Sequence, residues 1–400
     1  MVTHRYNIKR FLDFPSSEYE ARYAKLKLLM APRGIDALLV TTEQNVRYFT
    51  GLKTVLFRTR LRPITALLPV SNAHEPAMIV PEVLEATCLA TTWVEDIRIN
   101  SECYGKPSTS VIEVLLDTMK DLGLSMGTIG MEFGMGHHLG LTYEEFGTLQ
   151  SRVPQVQWVN ASDLIWELRA IKSALEVEAL KTAGDISAAG IEAGFQALKP
   201  GLLESELYSV ITSTYYREGA EDHLLNLMSG AKGNQVRDAL AADLPFEKGH
   251  FMKVDGGAVY KGYACDFCRI LGVGRLLDSQ RRAIATSALA NAGAIAAMRP
   301  GVPIRELAAA ADRVLSEAGF GFYMNAIGHA IGLDVHERPW LDRNVSTPIK
   351  QGMVFAVEVG VVDPDRFDDG SYTFEENVVV TEDGARVLTD RLPAVLLETS

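Results

Sequence analysis

Four carboxylates and two imidazoles in the second half of this 400-residue sequence fall at spacings that could do chemistry. Asp255 and Asp266 lie eleven residues apart in VDGGAVYKGYACDFCRI, a run that otherwise reads as two apolar strands. Tyr260-Lys261-Gly262-Tyr263 has the character of a turn, with Gly262 free to take positive φ. A hairpin folding near residues 260 and 261 would set the two aspartates opposite one another on one face. Like charges opposed across a strand pair are destabilising, and two carboxylates in one site do not both ionise cheaply. Something must compensate them.

A repeat enlarges the problem. PGLLESEL from Pro200 recurs as PGVPIREL from Pro300, each ending one helix and opening another. FMKVDGG from Phe251 is echoed by VFAVEVG from Val354, so Asp255 and Glu358 each close an apolar strand. Each is followed by a second strand carrying another acid, Asp266 in one unit and Glu375 in the other. A duplicated helix–strand unit would place four carboxylates around one pseudo-twofold axis. Between them lies GHAIGLDVHERP, with His329 and His336. One imidazole with four carboxylates is a hard ligand set, better suited to Mn²⁺, Co²⁺ or Fe²⁺ than to structural tetrahedral zinc. Two divalent cations about 3.5–4 Å apart, bridged by carboxylates, would neutralise the acids and hold a bridging hydroxide.

The elements that must position these groups follow from the patterning. The first ~150 residues alternate helices and strands, an α/β pattern. A helix is expected over Glu18 to Met30 with an N-cap at Ser16 or Ser17. Strands are expected at IDALLVTT, ITALLPV, AMIV and TIGMEF, and a loop with a short helix at NVRYFTG. The segment Leu164 to Ile171 leads into a long helical stretch through Ala197 that connects the domains, placed at 1–160 and 161–400. The Ala-rich run Ala283 to Met298 reads as a buried helix.

Composition bounds the function. The chain is 47% apolar and 22% charged with a net charge of −12, which argues against binding nucleic acid or anionic membrane. No uncharged apolar run reaches the length of a membrane span, and the N-terminus shows no export signal. Four cysteines make no disulfide framework, so the expected compartment is the cytoplasm. Cys265 and Cys268 form a lone C-x-x-C; three apart on a strand they point to opposite faces and read as packing residues.

DGGAVYKGYACD, GHAIGLDVHERP, IKQGMVFAVE and FEENVVVTEDG together resemble the motifs of the creatinase/prolidase/methionine-aminopeptidase metalloenzymes, the M24 family with the pita-bread fold. EYEARYAKLKLLMAPRGIDALLVTTEQNVRYFTG resembles the creatinase/prolidase N-terminal domain, which a methionine aminopeptidase lacks. The resemblance therefore covers nearly the whole chain and implies an α/β N-terminal domain followed by a duplicated α+β catalytic domain. It implies two divalent ions, Mn²⁺ first and Co²⁺, Zn²⁺ or Fe²⁺ as alternatives. Asp255 would bind one ion in bidentate fashion, Asp266 and Glu375 would bridge both, and His329 and Glu358 would complete the second site. Glu375 fits by spacing to the following strand, although Glu376 adjoins it. The bridging hydroxide would be the nucleophile, Glu358 would take a proton from it, and His336 would hydrogen-bond substrate or tetrahedral intermediate.

Two departures bear on substrate. Peptidases of the family carry a histidine in a motif like S-G-x-N-x-x-x-P-H, and here SGAKGNQVRDAL puts Arg237 at that place, with His223 and His250 as alternatives. An arginine there would suit a carboxylate or an oxyanion. Glu358-Val359-Gly360 replaces the Glu-Pro-Gly common in prolidases. In FRTRLRP, Arg60 or Arg62 is expected to meet a substrate carboxylate across a homodimer, in which the N-terminal domain reaches the partner's site. The expected function is a Xaa-Pro dipeptidase or aminopeptidase acting on a small peptide. The alternative is a creatinase-like C–N hydrolase acting on a small non-peptide carboxylate. A non-catalytic binding module on the same fold would have no need of five metal ligands.

Overall fold

Short β-branched runs alternating with helices in the first half build a mixed sheet. The structure is a computed structural model of the full chain and describes residues 8–59, 63–101, 110–230, 236 and 239–399. The chain divides into two compact units, Met1–Leu168 and Arg169–Ser400.

In the first unit the strands are β1 (Ala37–Val40), β2 (Thr65–Pro69), β3 (Ala77–Pro81), β4 (Asp96–Asn100), β5 (Gly127–Met131) and β6 (Val156–Asn160). They run in the order β4-β3-β2-β1-β5-β6. The helices are α1 (Ser16–Met30), α2 (Glu43–Thr50), α3 (Glu85–Thr91), α4 (Val111–Asp121) and α5 (Tyr143–Arg152). Leu39, Leu67 and Ile79 of the sheet pack with Ile112, Leu115 and Met119 of α4. The N-cap of α1 is Pro15, not a serine, and no side chain caps it. Its fixed φ of −56° pre-sets the helix entry without a hydroxyl.

The segment that leads from the first domain forms α6 (Ser162–Ala170), and the long helical stretch after it is α7 (Ala174–Ala197). Ser173 accepts from Glu176 N while Glu176 accepts from Ser173 N, a capping box that starts α7 afresh.

The second unit shows the duplication in its topology. Helices α7 and α8 (Glu204–Arg217) back one sheet, and α9 (Asp278–Ala296) and α10 (Ile304–Glu317) back the other. The first sheet contains β7 (Asp222–Ser229), β8 (Phe251–Tyr260), β9 (Tyr263–Ala264), β10 (Phe267–Gly272) and β17 (Leu397–Glu398). The second contains β11 (Gly321–Phe322), β12 (Ala326–Ala330), β13 (Glu337–Asp342), β14 (Val354–Val362), β15 (Tyr372–Val380) and β16 (Ala385–Val387). Strands β8 and β14 lie inside their sheets, as the echoed sequences require. Buried serines one hundred positions apart tie each helix to its strand. Ser187 of α7 accepts from Ala258 N at 2.8 Å, and Ser287 of α9 donates to Val359 O at 2.6 Å. Each bond occupies a strand polar group that burial would otherwise leave without water. No helix among the described residues is long and apolar enough to cross a membrane.

Candidate metal centre

The β8–β9 hairpin turns at Lys261 (φ 51°) and Gly262 (φ 83°), the paired positive φ of a type I′ turn. This centre sits one residue beyond the expected one, so the register differs from the sequence reading. Asp255 pairs with Cys268, and Asp266 follows β9 as a diagonal neighbour of Asp255 instead of lying opposite it. The two acids still meet: ligand oxygens of Asp255, Asp266 and Glu375 lie within 4.8 Å of one another. In the second sheet Glu358 and Glu375 stand directly opposite in the β14–β15 register.

Glycine permits the close approach in both halves. Next to Asp255, Gly256 has φ +110°, and a Cβ there would fall 2.3 Å from Leu224 O. Next to His329, Gly328 has φ +133°, and a Cβ would fall 2.0 Å from Ala356 O. No L side chain fits either place.

Asp255, Asp266, His329, Glu358 and Glu375 all line one cavity of about 220 Å³, together with His336, Leu224, Leu225, Ala239 and Leu240. His329 is buried, and its Nδ1 lies 3.0 Å from Ala330 O, which assigns the proton to Nδ1. The lone pair of Nε2 then faces Asp266 Oδ2 at 3.6 Å and Glu375 Oε1 at 3.9 Å. Burial and the neighbouring His336 push the His329 imidazole down to about 4, so it is neutral and able to ligate near pH 7. Burial, then Asp255 and Glu358, push the Asp266 carboxyl well above its ordinary range. Burial and the charges of Asp266, Glu358 and Asp255 do the same to Glu375.

This arrangement fits divalent cations. Both carboxylate oxygens of Glu375 are buried without a hydrogen-bond partner among the described residues, which a buried polar group tolerates only when something else binds it. Cations among these oxygens would relieve the repulsion that raises both acids. Glu376 is differently placed. It faces Arg269 at 2.7 Å and accepts from the Thr389 hydroxyl, while Arg269 also donates to the backbone oxygens of Glu375 and Leu392. Glu375 is therefore the member of the doublet at the cavity. Asn377 completes the frame through hydrogen bonds to both the amide and the carbonyl of Asp266.

His336 lies at the cavity, its ring edge-on to His329 at 4.4 Å and stacked on Trp340 at 5.6 Å. The sequence reading missed what holds it. Glu337, buried beside it, pairs with Arg169 and with Lys172 Nζ at 2.8 Å, and accepts from Leu333 N at 3.1 Å. It also missed Lys253, two residues before Asp255 on the same strand face, buried with no hydrogen-bond partner among the described residues. A strand lysine beside a strand acid carries little signal in a sequence.

His223 sits between the Tyr208 and Tyr216 hydroxyls of α8, and His250 accepts from Glu247 N; neither lines the cavity. Arg237, Arg60 and Arg62 lie outside the described residues. Cys265 packs among the α7–α8 core while Cys268 is buried opposite Asp255, and both are unpaired thiols.

The Xaa-Pro dipeptidase of Pyrococcus furiosus is 25% identical over 92% of this chain and 97% of its own. The X-Pro aminopeptidase of Thermotoga maritima has a TM-score of 0.80 at 25% identity, covering 94% of this chain and 99% of that one. The Xaa-Pro dipeptidase of Bacillus anthracis shares the fold with a TM-score of 0.82 at 24% identity, covering 95% of this chain and 100% of that one. Residues 22–171 match the Creatinase/Prolidase N-terminal domain. Residues 178–382, just over half of the sequence, match Metallopeptidase family M24, and the chain belongs to that family.

Proposed function

We propose that this metallohydrolase is a Xaa-Pro dipeptidase or aminopeptidase acting on small peptides. The observation that carries the reading is the convergence of Asp255, Asp266, His329, Glu358 and Glu375 on one small cavity. The relatives named for Xaa-Pro substrates span nearly the whole chain. Leu224, Leu225, Ala239 and Leu240 give the cavity apolar walls suited to a pyrrolidine ring.

Asp255, Asp266 and Glu375 would hold one ion, and Asp266, His329, Glu358 and Glu375 the other. The oxygen-rich set favours Mn²⁺. When bound, such ions supply a water nucleophile of lowered pKa and polarise the scissile carbonyl. Glu358 would accept a proton on its carboxylate. His336 donates to the oxygen on which charge develops, and its stacking on Trp340 fixes the direction of that bond. We further take the chain to act as a homodimer in the cytoplasm. The creatinase-type N-terminal domain supports the first, and the buried unpaired Cys88, Cys265 and Cys268 support a reducing compartment.

The test is turnover of Ala-Pro, a longer Xaa-Pro peptide and creatine by protein loaded with Mn²⁺. Cleavage of an Xaa-Pro bond, lost on chelation and restored by Mn²⁺, is expected. Creatine hydrolysis without peptide cleavage would transfer the assignment to the C–N hydrolases, and no turnover of any substrate would refute the peptidase reading.

A further inference from the structure

Among the described residues, Arg22, Arg169, Lys172 and Arg269 are buried, and each pairs with a glutamate. Lys253 is buried as completely, yet its Nζ has neither an ion pair nor a hydrogen bond there. A buried ammonium without a partner is costly, so its presence calls for a physical reason. Met252 and Val254 pack with Ile191 of α7 and Ile211 of α8, so alternation turns Lys253 and Asp255 together to the opposite face of β8. On that face Met228 and Ile270 flank Lys253 in register, and Phe251 before it packs on Tyr372 at 5.2 Å. The lysine thus stands where an apolar layer gives way to the carboxylates. Its charge is felt there: burial and then Asp255 push the Cys268 thiol up, and Lys253 opposes them from across the same strand pair. The duplication sets the residue in relief. VFAVEVG aligns Glu358 with Asp255 and Ala356 with Lys253. Ala356 stands opposite His329 and leaves room for its ring, whereas Lys253 stands opposite Met228. One half therefore adds a neutral imidazole to its acid, the other a positive charge.

We propose that Lys253 is a built-in counter-charge on the Asp255 side of the centre, which offsets the crowded carboxylates when no ion is bound and weakens the hold on the ion that Asp255 takes. The inference rests on the metallohydrolase reading, leaves its five ligands unchanged and concerns how tightly they bind. Lys253 is not itself a ligand; it acts through the field it sets up at Asp255. A unit charge acting on a dication from about 10 Å at an effective dielectric constant of about 20 changes binding on the order of 100-fold. The ion beside Asp255 is then the exchangeable one because of a residue that never touches it, and its occupancy follows the supply of divalent metal.

The experiment titrates the chelated full chain with Mn²⁺ and follows the free ion by electron paramagnetic resonance. Lys253→Met keeps a long apolar stem among Met228, Ile270 and Phe251 and removes the charge. It should bind the weaker of two Mn²⁺ ions at least about 10-fold tighter than the wild type does, with the number of ions unchanged. Lys253→Gln, uncharged but polar, should do the same, and circular dichroism checks that each variant is folded. A folded variant that binds Mn²⁺ no tighter than the wild type overturns the counter-charge and leaves the hydrolase reading standing. Loss of the fold in both variants would make Lys253 a structural residue and overturns it equally. A wild type that takes up no Mn²⁺ overturns both readings.

Discussion

Neighbouring glutamates on β15 should give opposite phenotypes: Glu375→Gln abolishes turnover yet stabilises the metal-free protein, while Glu376→Gln does the reverse. Glu375 is at the cavity with both oxygens unsatisfied, crowded by Asp266, Glu358 and Asp255. Removing its charge removes one of the proposed metal ligands. If metal-borne charge stabilisation in the transition state is about 4 kcal/mol, its loss lowers kcat about 1,000-fold. The chelated variant should nevertheless unfold at higher denaturant than chelated wild type. The gap should grow with pH, because a carboxyl raised in the folded state contributes stability that is complete below the unfolded value and lost as pH rises through the folded one. For Asp266 and Glu375 those lower bounds are near 3.8 and 4.5, with both folded values well above. Added divalent metal should invert the trend, since the ion competes with protons for the same oxygens.

Glu376→Gln leaves the Arg269 guanidinium buried without its counter-charge, a change that costs about 3–5 kcal/mol. Metal content should stay at the wild-type value. Urea unfolding with and without chelator, beside metal analysis, reads both variants; a chelated Glu375→Gln less stable than chelated wild type would contradict the electrostatic account.

The doublet illustrates what a sequence shows and what it hides. The four carboxylate candidates were legible because a duplicated strand pair carries an acid on each strand, although the spacing within each pair differs, 11 residues in one and 17 in the other, and duplication is a one-dimensional signal. Strands β1, β2, β3 and β5 were legible from continuous apolar runs. Strands β4 (DIRIN) and β6 (VQWVN) were not, because half-buried edge-side strands alternate with polar residues and look like loops. The hairpin register was read one residue short, since Lys261 is a non-glycine residue at positive φ and nothing local in its type announces that. Arg269, Arg169 and Lys172 are basic residues that a sequence places at the surface by default. Their burial is set by acids more than a hundred positions away, which is tertiary information.

The same logic makes Glu337→Gln the sharpest probe of how His336 is held. Glu337 is buried; burial alone would raise its carboxyl, but Arg169 and Lys172 outweigh that and hold it down at about 2. A carboxyl lowered in this way contributes stability that is present above the unfolded value near 4.5 and lost as pH falls through about 2. That difference corresponds to about 3 kcal/mol at neutral pH, and the variant should lose roughly that much because the buried Arg169 and Lys172 lose their shared counter-charge. Its stability should also become flatter across the acid range than that of the wild type. The catalytic consequence is separate. Glu337 gathers the Leu333 and Asp334 amides of the loop that delivers His336. With that carboxylate gone, the loop relaxes, and a misplacement of about 1 Å at a reacting group costs on the order of 100-fold. At a temperature where the variant is fully folded, kcat should therefore fall by that order while metal content stays at the wild-type value. Loss of metal together with activity would place Glu337 in support of His329 instead, and unchanged kcat in a folded, destabilised variant would show that the loop keeps its shape without the ion cluster.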